Sequence, residues 1–231
     1  MSIALGVDWS GGRAARRKIW AARIDLEQRA LLRLWRPFSD CRGPEQVAAS
    51  VSRWLDEQRF DVAGFDFCFG LAAAQLEQCD LPVEGPVALG QALTVRYEGA
   101  DDFKQAVAPE RRRATDIVRR TTLAPTNLRM YRLTYWGLRA LASVEAPMPP
   151  WSFGEGSVVE VFPGHVRRAI GGNFGLRIAP ADRAAIARDH EGDARDAVLA
   201  ALAAGASFEN SFAGTPADAA SSGEGWIYSV D

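Results

Sequence analysis

The sequence predicts an α/β fold, and three observations predict it. Short apolar runs at 3–8, 60–71 and 157–164 each carry a central or terminal acid, Asp8, Asp66 and Glu160. Runs of this length bounded by glycine or proline suit buried strands rather than helices. Helical spacing over 44–59 separates the first two of these runs, and a strand that follows such a helix reads as a crossover unit pairing parallel to an earlier strand.

The first run, Ile3-Ala4-Leu5-Gly6-Val7-Asp8, ends on a carboxylate followed by Gly11 and Gly12. Those glycines permit a tight turn or the close approach of a ligand. The basic segment Arg13, Arg16, Arg17 and Lys18 reads as a hairpin turn, with strands at 19–24 and 31–36. As a solvated turn or a phosphate-facing patch, these four residues weigh about equally. In the helix at 44–59, Pro44 sits at the first turn and Val47, Val51, Trp54 and Leu55 recur at spacings of three and four. Residues 72–110 are broken by Gly85, Pro86, Gly90, Gly99 and Pro109. A short helix is expected at 72–80, and the region 72–150 reads as a helical and irregular insertion in a single domain spanning 1–231.

Arg111 to Arg113, Asp116, Arg119 and Arg120 lie on an expected helix and form the densest positive cluster, for which a solvated face is the favoured reading. A further helix is expected at 126–142 with Leu128, Tyr131, Tyr135, Leu138 and Leu141 on one side, as core rather than as a stacking platform for bases. Pro147, Pro149 and Pro150 mark a linker. Pro163 ends the third acid-bearing strand, and a short helix at 166–170 closes on Gly171-Gly172. The last helical region starts near Pro180 and is interrupted by Gly192. Its second piece is alanine-rich, opens with Asp193 at the N-cap or first turn, and stops at Gly205. Residues 206–225 read as a surface loop and 225–228 as a last short strand.

Composition narrows the function. With 231 residues, 48% hydrophobic and 24% charged, the chain is an ordinary globular protein able to bury a full core. A net charge of −2 leaves no global footprint of nucleic-acid binding, although a local basic patch suffices for it. Cys41, Cys68 and Cys79 are odd in number and lack C-x-x-C spacing, so no disulfide framework or zinc site is expected and a cytoplasmic setting is the simplest. His165 and His190 alone do not make a multi-histidine centre. Neither a signal peptide nor a membrane partner is expected, since no run approaches the ~20 apolar residues that span a bilayer.

The chemistry therefore rests on carboxylates. Asp8, Asp66 and Glu160 lie on strands, and Asp193 and Asp196, three apart, share one helix face. Hard oxygen ligands of this kind suit Mg2+ or Mn2+, and two such ions clamp the attacking and leaving oxygens of a phosphodiester. Each acid also has a plainer role. Asp193 is an N-cap candidate, Asp196 a partner of the helix dipole, Asp66 a turn residue ahead of Gly70, and Glu160 a partner for an arginine. Asp8 is the hardest to dismiss, and the joint order is harder to explain by accident than any single acid.

That order resembles the ribonuclease-H-like superfamily, with the acid layout of Holliday-junction resolvases. More closely, the chain is similar to a family of predicted ribonuclease-H-like nucleases known mainly as a domain of unknown function. The matching pieces are G-V-D-W-S-G at 6–11, G-F-D-F-C-F-G-L at 64–71, R-x-x-D at 113–116, E-V-F-P at 160–163 and D-A at 196–197. Related segments often read D-x-P-L-G where this chain has Asp66-Phe67-Cys68-Phe69-Gly70. The resemblance implies a mixed sheet whose first three strands are antiparallel, with helices on both faces. It implies metal-dependent phosphodiester hydrolysis, with Asp8, Asp66 and Asp196 as metal ligands and Asp193 or Glu160 as the fourth.

The leading expectation is a nuclease using Mg2+ or Mn2+, with Arg13, Arg17, Lys18 and Arg113 against the phosphates of a nucleic acid. A second is a binding module for nucleic acid or protein that keeps the fold without turnover. A third is an ATP-dependent phosphotransferase of the sugar-kinase and actin kind, whose core opens with a similar strand, acid and glycine turn. That reading lacks a second phosphate loop, which a phosphate tail would need.

Overall fold

The computed structural model describes residues 1–171 and 173–230. Its strands are β1 (Ile3–Asp8), β2 (Trp20–Asp25), β3 (Ala30–Trp35), β4 (Val62–Asp66) and β5 (Ser157–Glu160), in one mixed sheet ordered β3-β2-β1-β4-β5. β2 runs antiparallel to both β1 and β3, whereas β4 is parallel to β1 and β5 to β4. The helix α2 (Pro44–Asp56) makes the crossover into β4.

Alternation along the strands sends side chains to two different cores. Leu5, Val7, Ala63, Phe65 and Val158 face one layer, where α2 and α7 (Tyr131–Leu141) cover them. Ala4, Ala22, Ile24, Val62 and Val159 face the other, covered by α10 (Asp193–Glu209) and by α8 (Pro163–Ile170). The sheet is thus flanked by helices on both faces.

Several local expectations are corrected. The basic segment is not a simple hairpin turn: residues Ala15–Lys18 close one helical turn, α1, anchored by the fully buried Ala15. The segment 72–110 holds α3 (Ala73–Gln78), α4 (Pro86–Arg96) and α5 (Ala100–Ala106). Three of its breakers are helix starts: Gly85 and Gly99 are N-caps and Pro86 opens α4, where a missing N–H costs nothing, whereas Gly90 lies inside α4 against α7. After α6 (Ala114–Val118), α7 begins only at Tyr131, which leaves Leu128 off the helix and 74% exposed. Pro163 does more than end β5, since it is the first residue of α8, which Gly171 closes in the left-handed conformation. Gly172, paired with Gly171 in the expected stop, lies outside the described residues.

Gly205 does not stop the last helix. α10 runs through it to Glu209, because the missing side chain makes room for Leu26, whose Cδ2 would lie 2.4 Å from a Cβ there. Ahead of α10, α9 (Pro180–Arg188) begins at Pro180 as expected. The stretch 206–225 is correspondingly part helix and part turns, with Phe212 and Ala219 buried. At 225–228 a single parallel bridge, Val161 to Tyr228, stands in place of a strand.

Candidate active site

Parallel pairing of β1 and β4 sets Asp8 directly beside Asp66, as register partners at the same sheet end. Neighbouring strands lie about 4.8 Å apart, and paired residues point to the same face. Ala4, Gly6 and Asp8 alternate with Leu5 and Val7, so both acids point towards α10.

Small residues bring α10 close. A Cβ on Gly6 would lie 2.2 Å from the Ala197 carbonyl oxygen, and one on Gly64 would lie 2.7 Å from that of Ala200. Any side chain at these positions would push the helix off the sheet. The helix also has a fixed direction: Gly205 lies over Ala4, and Ala197 and Ala201 lie over Gly6. Two strand residues advance about 6.6 Å and a helical turn about 5.4 Å. The first turn of α10, with Asp193 and Asp196, therefore comes over Asp8 and Asp66.

Asp193 is the first helical residue, and the N-cap is Gly192 with φ 89°. The capping acceptor is Asp189, whose Oδ2 receives the Ala194 N–H at 2.6 Å. Asp189 thus joins the acid group, although its place at the end of a polar helix gave no signal of it in the sequence.

Burial pushes the Asp8 carboxyl well above the usual carboxylate range, and Asp66, Asp193, Asp196 and Asp189 push it further. Burial does the same to Asp66, reinforced by Asp196 and Glu160 and opposed by Arg167. Asp193 is raised to about 6 by burial and then by Asp189 and Glu191. Asp196 is raised by burial and held back by Arg167 and Arg195. The nearby cations compensate only loosely. Arg167 Nη2 stands 3.8 Å from Asp196 Oδ2 and Arg195 Nε 3.7 Å from Oδ1, both too long for hydrogen bonds. Lys18 reaches across from α1 to Glu191 at 2.6 Å.

Glu160 is corrected as a ligand candidate. Its register partner is Phe65, so it points to the face opposite Asp8 and Asp66. There its Oε1 accepts from Arg113 Nη2 at 2.5 Å, and its Oε2 accepts from Arg113 Nη1 at 2.7 Å and from the Phe69 N–H at 2.8 Å. Burial pushes its carboxyl up while Arg113 and the Phe69 amide pull it back. Arg113 is corrected with it. Fully buried and held also by Asp116 at 2.9 Å, it cannot face a phosphate. Together Glu160 and Arg113 brace the loop that follows Asp66. Arg13 and Arg17 are exposed and Lys18 is half-buried.

The donors gathered at this sheet end are hard carboxylate oxygens, the chemistry of Mg2+ or Mn2+. Among the described residues no hydrogen bond reaches the Asp8 or Asp66 carboxylate, and Asp196 Oδ1 is buried without one. Lone pairs are therefore free for a cation. As placed, no three acid, histidine or cysteine side chains among the described residues stand close enough to hold one ion, and holding one would require the side chains to close together. Nor is any described helix long and apolar enough to cross a membrane. No family model, no curated protein and no solved structure matches this chain.

Proposed function

We propose that this chain is a ribonuclease-H-like, metal-dependent nuclease hydrolysing phosphodiester bonds of nucleic acid. One observation carries the reading: Asp8, buried, and Asp66, half-buried, are register partners without hydrogen bonds to their carboxylates among the described residues, under a helix whose first turn adds two more acids. Such a group is costly when ionised unless a cation is present. Asp8, Asp66 and Asp196 would hold Mg2+ or Mn2+, with Asp193 rather than Glu160 as the fourth ligand. Bound there, such an ion supplies Lewis acidity to a phosphodiester and a nucleophile at neutral pH. The chain's own residues do the rest. Asp189 and Gly192 fix the first turn of α10, Glu160 and Arg113 fix the loop after Asp66, and Lys18 and Arg167 flank the acids with positive charge.

The test is thermal unfolding of wild type and Asp8→Asn with and without millimolar Mn2+, followed by hydrolysis of branched, single-stranded and RNA–DNA hybrid substrates. The expected result is a rise in midpoint and Mn2+-dependent cleavage in wild type, both lost in Asp8→Asn. Stabilisation without cleavage of any substrate would sink the nuclease reading. The spacing of the acids, too wide for one ion as they stand, favours the binding module as the second reading. It predicts oligonucleotide or protein binding that Mn2+ does not change.

A further inference from the structure

Beside the acids lies an open groove of about 510 Å3, lined among others by Trp9, Arg13, Lys18, Leu128, Arg129 and Arg132. Its floor is the chain that leaves β1 immediately after Asp8. One wall is the segment leading into α1. The other is the start of α7 and the loop before it. Gly11 lets the walls meet, since a Cβ there would lie 2.1 Å from the Arg132 carbonyl oxygen.

Four cations line this groove and no acid does. Among the described residues Arg13 and Arg129 have no ion-pair partner, and both are exposed. Lys18 and Arg132 are held from outside the lining, by Glu191 at 2.6 Å and by Asp101 at 2.9 Å. A protein of net charge −2 thus sets four cations in one trough, two of them without an ion-pair partner among the described residues, and Asp101 is the acid whose charge Arg13 feels from its edge. Leu128, exposed among the arginines, adds an apolar contact.

We infer that this groove binds the phosphate backbone of a nucleic-acid strand on one side of the bond presented to the acids. Arg13 and Arg129 each neutralise a phosphate, Lys18 lies at the junction with the acid group, and Leu128 packs against a sugar or base. The assignment deepens the nuclease reading and rests on it for the position of the cut. It adds Arg129 and Arg132, which the sequence did not single out, and leaves out the buried Arg113. Backbone contacts of this kind position a strand without reading its sequence.

The test is fluorescence anisotropy of a labelled oligothymidylate and a mixed-sequence duplex, in EDTA so that nothing is cleaved, across a salt series. Wild type, Arg13→Ser/Arg129→Ser and the control Arg42→Ser, at an exposed arginine outside the groove, are compared. The double variant should bind at least about tenfold more weakly, and its slope of log affinity against log salt should shrink by roughly 1.4 for the single strand or 1.8 for the duplex, two lost phosphate contacts. The control should match wild type. Equal affinity and slope in the double variant overturn the groove while leaving the nuclease reading intact. Groove-dependent binding without cleavage in Mn2+ upholds the groove and sinks the nuclease. If ATP stabilises the protein to heat and no oligonucleotide binds, the groove is a nucleotide site and the inference is overturned.

Discussion

Two kinds of buried charge coexist in this molecule and behave in opposite ways when altered. Asp8, buried, and Asp66, half-buried, lose hydration and lie next to like charge, so their protonation is favoured. For an acid whose folded pKa is raised, the native state binds more protons than the unfolded chain, so stability is greatest at low pH and falls as pH rises towards the folded pKa. Asp193 sets a window from its ordinary 3.8 to about 6, and Asp8 and Asp66 extend it upward. In EDTA, urea-unfolding stability should therefore decline from pH 5 to pH 8. Asp8→Asn should raise metal-free stability at pH 8 by on the order of 1 kcal/mol or more and flatten that decline. An unchanged or rising profile would show that neither burial nor mutual repulsion raises these carboxyls in the folded protein. Arg113 is the reverse case, buried against Glu160 and Asp116. Arg113→Met leaves both acids unpaired and should cost about 3–5 kcal/mol by urea unfolding, with part recovered in Arg113→Met/Glu160→Met.

Residue type and chain order made Asp8, Asp66, Asp193 and Asp196 visible in the sequence. The pairing of Glu160 with an arginine is one of the sequence readings and is borne out; that the arginine is Arg113, and that both leave the acid group, was not visible, because it depends on which face β5 turns towards its neighbour. That face is set by register with a strand far away in the chain.

At the scale of elements, glycine carries two messages that a sequence does not separate. Gly85, Gly99 and Gly192 mark helix starts, whereas Gly6, Gly64 and Gly205 are points where a helix and the sheet side touch. Local pattern reveals the first kind. The second needs the packing partner, which is why Gly205 reads as a stop in the sequence and is a contact in the fold. Gly6→Ala should cost about 1–3 kcal/mol by overpacking and should weaken Mn2+ stabilisation, because displaced α10 carries Asp193 and Asp196 away from Asp8. Gly43→Ala is the control: its Cβ would meet nothing within 4 Å, so it should cost only the roughly 0.5–1 kcal/mol of an alanine at a helix N-cap and leave Mn2+ stabilisation unchanged. Equal Mn2+ stabilisation of the two variants would dissociate the acid geometry from helix–sheet contact.

Across the whole molecule, late residues close what early ones begin. Glu224 accepts the N–H of Ala73 at 2.8 Å and that of Ala114 at 2.6 Å, capping α3 and α6 together. The Ile227 N–H donates to Thr115 Oγ1 at 2.9 Å, and that of Tyr228 to the Glu160 carbonyl at 2.9 Å. Glu224→Ala should cost about 1–2 kcal/mol, as expected for lost caps, and hydrogen exchange should speed up at Ala73 and Ala114 together. Faster exchange at only one of them would separate the two helices. The α/β class and the crossover into β4 were legible because they follow from periodicity and order. These closures were not, since they join polar loops with no pattern of their own.

The lid of small residues that α10 lays over Gly6 and Gly64 also bears on the birth of the protein. A ribosome releases Asp8 and Asp66 long before it reaches Asp193. Until α10 emerges and docks, the nascent chain holds only half of its acid set, on a sheet face bare of its cover. Assembly of the acid group thus waits on the docking of a helix made late.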